Sequence, residues 1–344
     1  MATVLPAATR EIVLTDTPEG LPGPEHFAVV EKPLPAPGPG QLLVRNRYFL
    51  VIPGLRTLIG GQADGVPLPP VHVGDTLFGP AVGEVVAAAA GSSLRPGDAV
   101  THLLGWREHA LLAEADCTPL GDALPDPVAH LSSGSAAYGA LTRLAEVRTG
   151  DTVFITGAAG GVGTLAGSLA RLLGATRVIG STRSPDKAER LRAELGYDAV
   201  LVPGSRSLDA QLAAAAPEGI DVLLDTVGGE QLTAAVRAAR RGARFALVGA
   251  LAGQLSPHGD GGSAPAEIDT FRLVNQSVSL RGYSGMDHPE VTEEWTKRFG
   301  QWLRSGEITF PHVRVPGMDR APSALQELFE GRHFGTVVVE LPRR

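Results

Sequence analysis

The sequence predicts an α/β protein of two units: a β-rich unit, then a doubly wound parallel sheet. Up to about residue 124, short strand-like runs are broken by Gly and Pro, which suits a compact β-rich unit. From about residue 125, apolar β-branched runs alternate with helical patterns, which argues a parallel sheet. At the head of that alternation, residues 152–163 join an apolar run to a glycine-rich turn and an Ala/Leu-rich helical pattern.

In the first unit, the prolines at 33, 35, 37 and 39 exclude a helix. Residues 41–45, 82–86, 97–100 and 108–112 suggest short strands. In the second unit the strand candidates are 152–156, 176–180, 199–202, 221–225, 243–249 and 277–281. A helix is predicted from Pro185 to Leu195, and Tyr138 opens a helical pattern where packing is its expected role. The run 335–340 reads as a last strand returning to the first unit. The expected domains are therefore 1–124 with 312–344, and 125–311. No internal repeat is evident.

The 344 residues suffice for two cored domains, with ordinary hydrophobic (43%) and charged (19%) content. A net charge of −7 gives no bulk electrostatic case for nucleic acid or an anionic membrane. No apolar run has the length of a membrane span, and the stretch around Arg10 and Glu11 lacks a signal-peptide core. The one cysteine, Cys117, excludes an intrachain disulfide framework and any multi-cysteine zinc site. A cytoplasmic protein is the expectation. The nine histidines are scattered, and His72, His102, His109 and His130 share no ligand spacing, so no metal is expected.

The turn after Val153, Phe154 and Ile155 carries Gly157, Ala159, Gly160, Gly161, Val162 and Gly163. Amides at such a turn point at an anion, and the helix dipole favours it. Gly157, Gly160 and Gly163 let the backbone approach a pyrophosphate and let the helix pack on the strand. At the end of the next strand an NAD-binding protein usually places Asp or Glu. This chain instead has Ser181, Thr182, Arg183 and Ser184, then Lys187. Hydroxyls and cations suit a 2′-phosphate, so the expected cofactor is NADPH.

As a set and in this order, several motifs resemble the medium-chain dehydrogenase/reductase superfamily. They are Pro37-Gly38-Pro39-Gly40-Gln41, Gly83-Glu84-Val85-Val86, Gly105-Trp106-Arg107-Glu108, Ala137-Tyr138-Gly139, Ala158 to Gly163, Asp221 to Gly229, and Glu330 to Gly335. Within it the chain resembles the zinc-independent branch of leukotriene B4 dehydrogenases, prostaglandin reductases and double-bond reductases. The resemblance implies a GroES-like first domain, a Rossmann second domain, NADPH, a homodimer, and hydride delivery to the β-carbon of an α,β-unsaturated carbonyl. It places Lys187 where the family's 2′-phosphate-binding lysine stands, and adds Asp225, Val227, Gly249 and His333 to the cofactor contacts.

The chain departs from the family at the substrate face. Where the family tends to read Ser-Val-Asp-Pro-Tyr-Met-Arg, this chain has Leu50, Ile52 and Gly54 in place of Ser, Asp and Tyr, followed by Arg56. The tyrosine of the loop after 243–249 is replaced by Leu255 or Gln254, depending on one gap, with Leu251 nearby. His109 and Pro203 stand where tyrosines are usual, and His333 where asparagine is. Hydroxyls leave and aliphatic groups or space replace them. The predicted pocket, lined by Leu50, Ile52, Gly54, Leu251 and Leu255, is therefore wide and apolar, fit for a large hydrophobic small molecule. Gly54, with Gly60 and Gly61, would allow the 50–56 segment to move.

Polar candidates for catalysis are Tyr48, Arg56, His109 and Tyr283. His109 could relay a proton, and Arg56 could hold an oxyanion. The expected activity is NADPH-dependent reduction of a conjugated C=C bond. A second activity follows from the lost tyrosines. An enolate that is not protonated promptly can attack an electrophile in the same substrate, giving reductive cyclisation, as in ring-closing reductases of the superfamily that act on polycyclic tetramate macrolactams. The residues also leave room for a non-catalytic NADPH-binding protein and, more weakly, for a quinone reductase.

Overall fold

The computed structural model describes residues 5–59, 68–204, 206–258 and 261–342. Two sheets dominate. The first has seven strands and draws on both ends of the chain. Its path runs His312–Pro316, Thr336–Glu340, Gln41–Val51, Ala81–Ala88, Ala99–His102 and Thr118–Pro119, with His109–Ala113 also paired to Gln41–Val51. Its pairs are antiparallel except the one joining His312–Pro316 to Thr336–Glu340. Ala8–Leu14 and Phe27–Pro33 form a separate antiparallel pair. Phe49, Val51, Leu55, Trp106 and Leu325 pack in the core beneath.

The second sheet is parallel and six-stranded. Its order is Ala199–Leu201, Arg177–Ser181, Thr152–Ile155, Ile220–Asp225, Ala239–Leu247 and Ser279–Gly282. The strand order reverses between Thr152–Ile155 and Ile220–Asp225. Ligands of open α/β sheets bind at the carboxyl ends of the strands at such a switch point. Val153, Phe154 and Ile155 are almost fully buried, as strands covered on both faces require.

The helix Pro185–Leu195 has the predicted bounds: Ser184 caps its first turn and Gly196, at φ +66°, ends it. The strand predicted over 243–249 runs instead over Ala239–Leu247. Val248 and Gly249 leave the sheet because both amides donate to the carbonyl of Asp225. The strands Ala8–Leu14, Phe27–Pro33 and His312–Pro316 are additions to the predicted set. Tyr138 is packed beside Trp295 and Trp302 of the helix Glu290–Ser305.

Candidate active site

A cleft of about 620 Å³ lies between the ends of the parallel strands and the seven-stranded sheet. Its floor is the glycine-rich turn. Gly157 takes φ +60°, and a Cβ there would stand 2.5 Å from Thr226 Oγ1. Its amide donates to Ser181 Oγ at 3.1 Å. A Cβ on Gly163 would lie 2.5 Å from Ala158 Cα, so the helix Gly163–Leu172 reaches its strand only through glycine. The amides of Gly161 and Val162 meet no protein acceptor among the described residues. Two free amides ahead of a helix N-terminus suit a phosphate. Thr336 Oγ1, buried and without a partner, lies 2.9 Å from where a Cβ on Gly161 would stand. These features fit a dinucleotide: a turn bare of side chains, free amides and an unpaired hydroxyl.

At one end of the cleft stand Ser181, Thr182, Arg183, Ser184 and Lys187. Arg183 Nη2 donates to the carbonyl of Phe329 at 3.1 Å. Lys187 Nζ donates to the carbonyls of Gly331 and His333. Both cations thus fasten the loop before the last strand. Burial holds the Lys187 amine below its usual range, and the Arg183 and Arg190 cations add to that. An anion bound there would relieve both effects. His333 Nε2 stands 3.2 Å from Glu327 Oε2, while burial lowers its imidazole.

The opposite end is apolar apart from Gln254. Leu50 and Val51 end the strand Gln41–Val51 and Ile52 and Pro53 follow it, while Val248, Gly249, Leu251, Ala252, Gln254 and Leu255 come from the segment after Ala239–Leu247. Gly54 lies just outside: a Cβ there would be 3.7 Å from Gln254 Nε2 and 4.0 Å from Ile52 Cδ1. The glycines at 60 and 61 lie outside the described residues.

The four polar candidates do not converge on this cleft. Arg56 is 2% exposed and donates to the carbonyls of Gln254 at 2.6 Å and Ser256 at 2.5 Å, so its guanidinium serves the wall behind the lining. Tyr48 donates to Glu340 at 3.3 Å in a cluster beyond Leu50, and burial raises its phenol. His109 faces Arg45 across a strand pair, its imidazole lowered by burial. Tyr283 stacks on His288 at 5.6 Å and packs against Gly139. Asp225 is also withdrawn: its carboxylate accepts from Thr156 Oγ1 and from the amides of Val227 and Gly228, shaping the turn beside the cleft. Of the expected cofactor contacts, Gly157, Ala159, Gly160, Gly161, Val162, Gly163, Val227, Gly249 and His333 all line the cleft, as do the hydroxyls and cations at 181–187. Leu50, Ile52, Leu251 and Leu255 line it too. Glu330 joins them from the motif 330–335, and Ser133, Gln231 and Thr336 join without a sequence signal. They arrive through tertiary pairing, as in the bridge between Gly160 and Gly335, and no local spacing announces them.

No group of three His, Cys, Asp or Glu that could hold a metal ion occurs among the described residues. Burial, with Asp116 and Glu114 adding, pushes the Cys117 thiol up to about 11.

Fold and site, with the comparisons, define an oxidoreductase built on an antiparallel-rich and a parallel sheet. Residues 10–120 match the family model described as the N-terminal domain of oxidoreductase, and residues 161–303 match that described as zinc-binding dehydrogenase. The NADPH-dependent curcumin reductase of Escherichia coli is 28% identical, over 96% of this chain and 96% of that protein. Prostaglandin reductase-3 of Mus musculus is 29% identical, over 90% and 84%. The crystal structure of CurA in complex with NADPH from Vibrio vulnificus has a TM-score of 0.88 at 27% identity, over 97% and 100%. The two matches and these relatives bear out the resemblance to the medium-chain dehydrogenase/reductase superfamily.

Proposed function

We propose that this protein is an NADPH-dependent reductase of conjugated C=C bonds in large apolar α,β-unsaturated carbonyl compounds. The observation that carries the proposal is one cleft joining a phosphate-binding turn and two cations to an aliphatic wall. When bound, NADPH supplies a hydride to the substrate's β-carbon. The amides of Gly161 and Val162 would hold the diphosphate, and Arg183 and Lys187 would hold the 2′-phosphate. The wall of Leu50, Ile52, Leu251 and Leu255 orients the substrate and excludes water, which is where catalysis by positioning arises. Among the described residues no tyrosine, histidine, lysine or carboxylate lines that end, so the α-carbon takes its proton from water.

Initial rates of NADPH oxidation with enones of increasing alkyl length, and with curcumin, test the reading. Each added methylene should raise kcat/KM roughly three- to fourfold until the cleft is filled, from about 0.8 kcal/mol per buried CH₂. A flat series, or turnover of small quinones alone, would sink it.

The absence of a titratable group at the apolar end, among the described residues, also favours a second reading. An enolate formed there can close a ring on an internal electrophile, so reductive cyclisation of a polyenone is the second activity this cleft suits. A homodimer and a cytoplasmic location belong to the same proposal. The sheet edge at Ser279–Gly282 and the exposed Phe271 and Val274 support the first. The single cysteine supports the second. Among the described residues no helix is long and apolar enough to cross a membrane.

A further inference from the structure

The polar side chains of the cleft are mostly spoken for. Ser181 Oγ donates to Gln231 Oε1 at 2.5 Å, and Thr226 Oγ1 to the carbonyl of Thr156 at 2.9 Å. Arg183 and Lys187 hold the loop before the last strand. Ser133 and Thr336 sit beside Gly161 at the glycine-rich turn. Among the described residues, one polar side chain is left among the aliphatic groups of the substrate end. Gln254 lines the cleft between Leu251 and Leu255, and its carboxamide meets no protein partner among the described residues. Its neighbour across the gap is Gly54, which offers no side chain: even an added Cβ would stand 3.7 Å from Gln254 Nε2. The backbone at 254 is fixed, because the buried Arg56 donates to its carbonyl at 2.6 Å and to that of Ser256 at 2.5 Å.

We infer that Gln254 is a catalytic residue, whose side-chain N–H donates to the substrate's carbonyl oxygen and stabilises the negative charge it gains as hydride arrives. The inference rests on the enone reading above. The step balances without another reagent. Hydride forms a C–H bond at the β-carbon, the C=C pair moves to make the enolate, and water later protonates the α-carbon. A carboxamide is suited to the first part only. It donates a hydrogen bond yet is far too weak an acid to surrender its proton, so it stabilises the enolate without quenching it. Placed in a water-poor apolar wall, such a donor is worth more than in water.

The test compares Gln254→Met with the unaltered enzyme on one long-chain enone, with NADPH and with NADPD deuterated at the transferred position. Gln254→Met keeps the chain's length and removes the donor. The expected result is a fall in kcat of about a hundredfold, the scale of losing one oxyanion donor. The NADPH Kd should stay within about twofold and the deuterium isotope effect should rise, because hydride transfer becomes slower. Gln254→Glu should fall further than Gln254→Met, since a carboxylate repels the enolate. A kcat for Gln254→Met within about threefold of the unaltered enzyme, or Gln254→Glu as active as Gln254→Met, would overturn the inference. If the unaltered enzyme reduces no enone, the enone reading fails first, and the two failures are thereby distinguished.

Discussion

Arg56 and Gln254 join the two halves of the cleft: the guanidinium, 2% exposed, donates to the Gln254 carbonyl at 2.6 Å. The short helix Leu55–Ile59 that carries Arg56 belongs to the first unit, whereas Gln254 ends the helix Leu251–Gln254 of the second. The relationship predicts a double effect for Arg56→Met. Two part-buried carbonyls lose their donor, at about 1 kcal/mol each, so the urea midpoint should drop. Because the wall loosens rather than the phosphate sites, KM for long enones should rise several-fold more than the NADPH Kd. Equal losses in both would mean that Arg56 does no more than stabilise the fold.

Lys187 predicts the cofactor preference. A hydrogen bond to a charged group contributes about 1.5–3 kcal/mol. Lys187→Ala should therefore weaken NADPH binding about 10- to 100-fold and leave NADH almost unchanged, as read by nicotinamide fluorescence titration. Parallel losses for the two cofactors would remove Lys187 from the 2′-phosphate site.

His102 predicts a stability profile. Burial, with the Arg107 cation adding, pushes its imidazole down to about 4, and its Nδ1 accepts from the Leu104 amide at 3.0 Å. Unfolded, it titrates near 6.5. The unfolded chain therefore binds the proton more readily, and stability is intact above about pH 6.5 and is lost as the pH falls toward 4. The loss over that window is on the order of 3 kcal/mol. His102→Asn retains an acceptor for Leu104 and cannot titrate, so its urea midpoint should change much less between pH 7.5 and 5 than that of the unaltered protein.

Phe271 and Val274 predict the assembly. Each is 75% exposed on the helix Thr270–Gln276, near the sheet edge Ser279–Gly282. If they meet a second copy, Val274→Asp should halve the mass seen by light scattering at micromolar concentration. An unaltered protein that already runs as a monomer would contradict the dimer.

Much of the cofactor side is legible in the sequence because its signals are local. The strand, glycine turn and helix are contiguous from Thr152 to Leu172, and the cations follow the next strand within a few residues. The substrate side is legible only in composition. Leu50, Ile52, Leu251 and Leu255 announce an apolar wall, but the direction of each polar side chain depends on contacts distant in sequence. Arg56 looks available until the loop two hundred residues later supplies its acceptors. Tyr48 and Tyr283 are turned to other partners, and His109 is set in a strand pair away from the cleft lining, by register and packing that one sequence does not reveal. The strand His312–Pro316 escapes sequence reading for the same reason: it is made by pairing with Thr336–Glu340 rather than by its own pattern.

The most direct test of the account follows the hydride. The protein is incubated with NADPD and a long-chain enone, and the product is read by mass spectrometry and NMR. The account predicts one deuterium, on the former β-carbon, with the α-hydrogen drawn from water. Deuterium on the carbonyl carbon, giving an allylic alcohol, would contradict it.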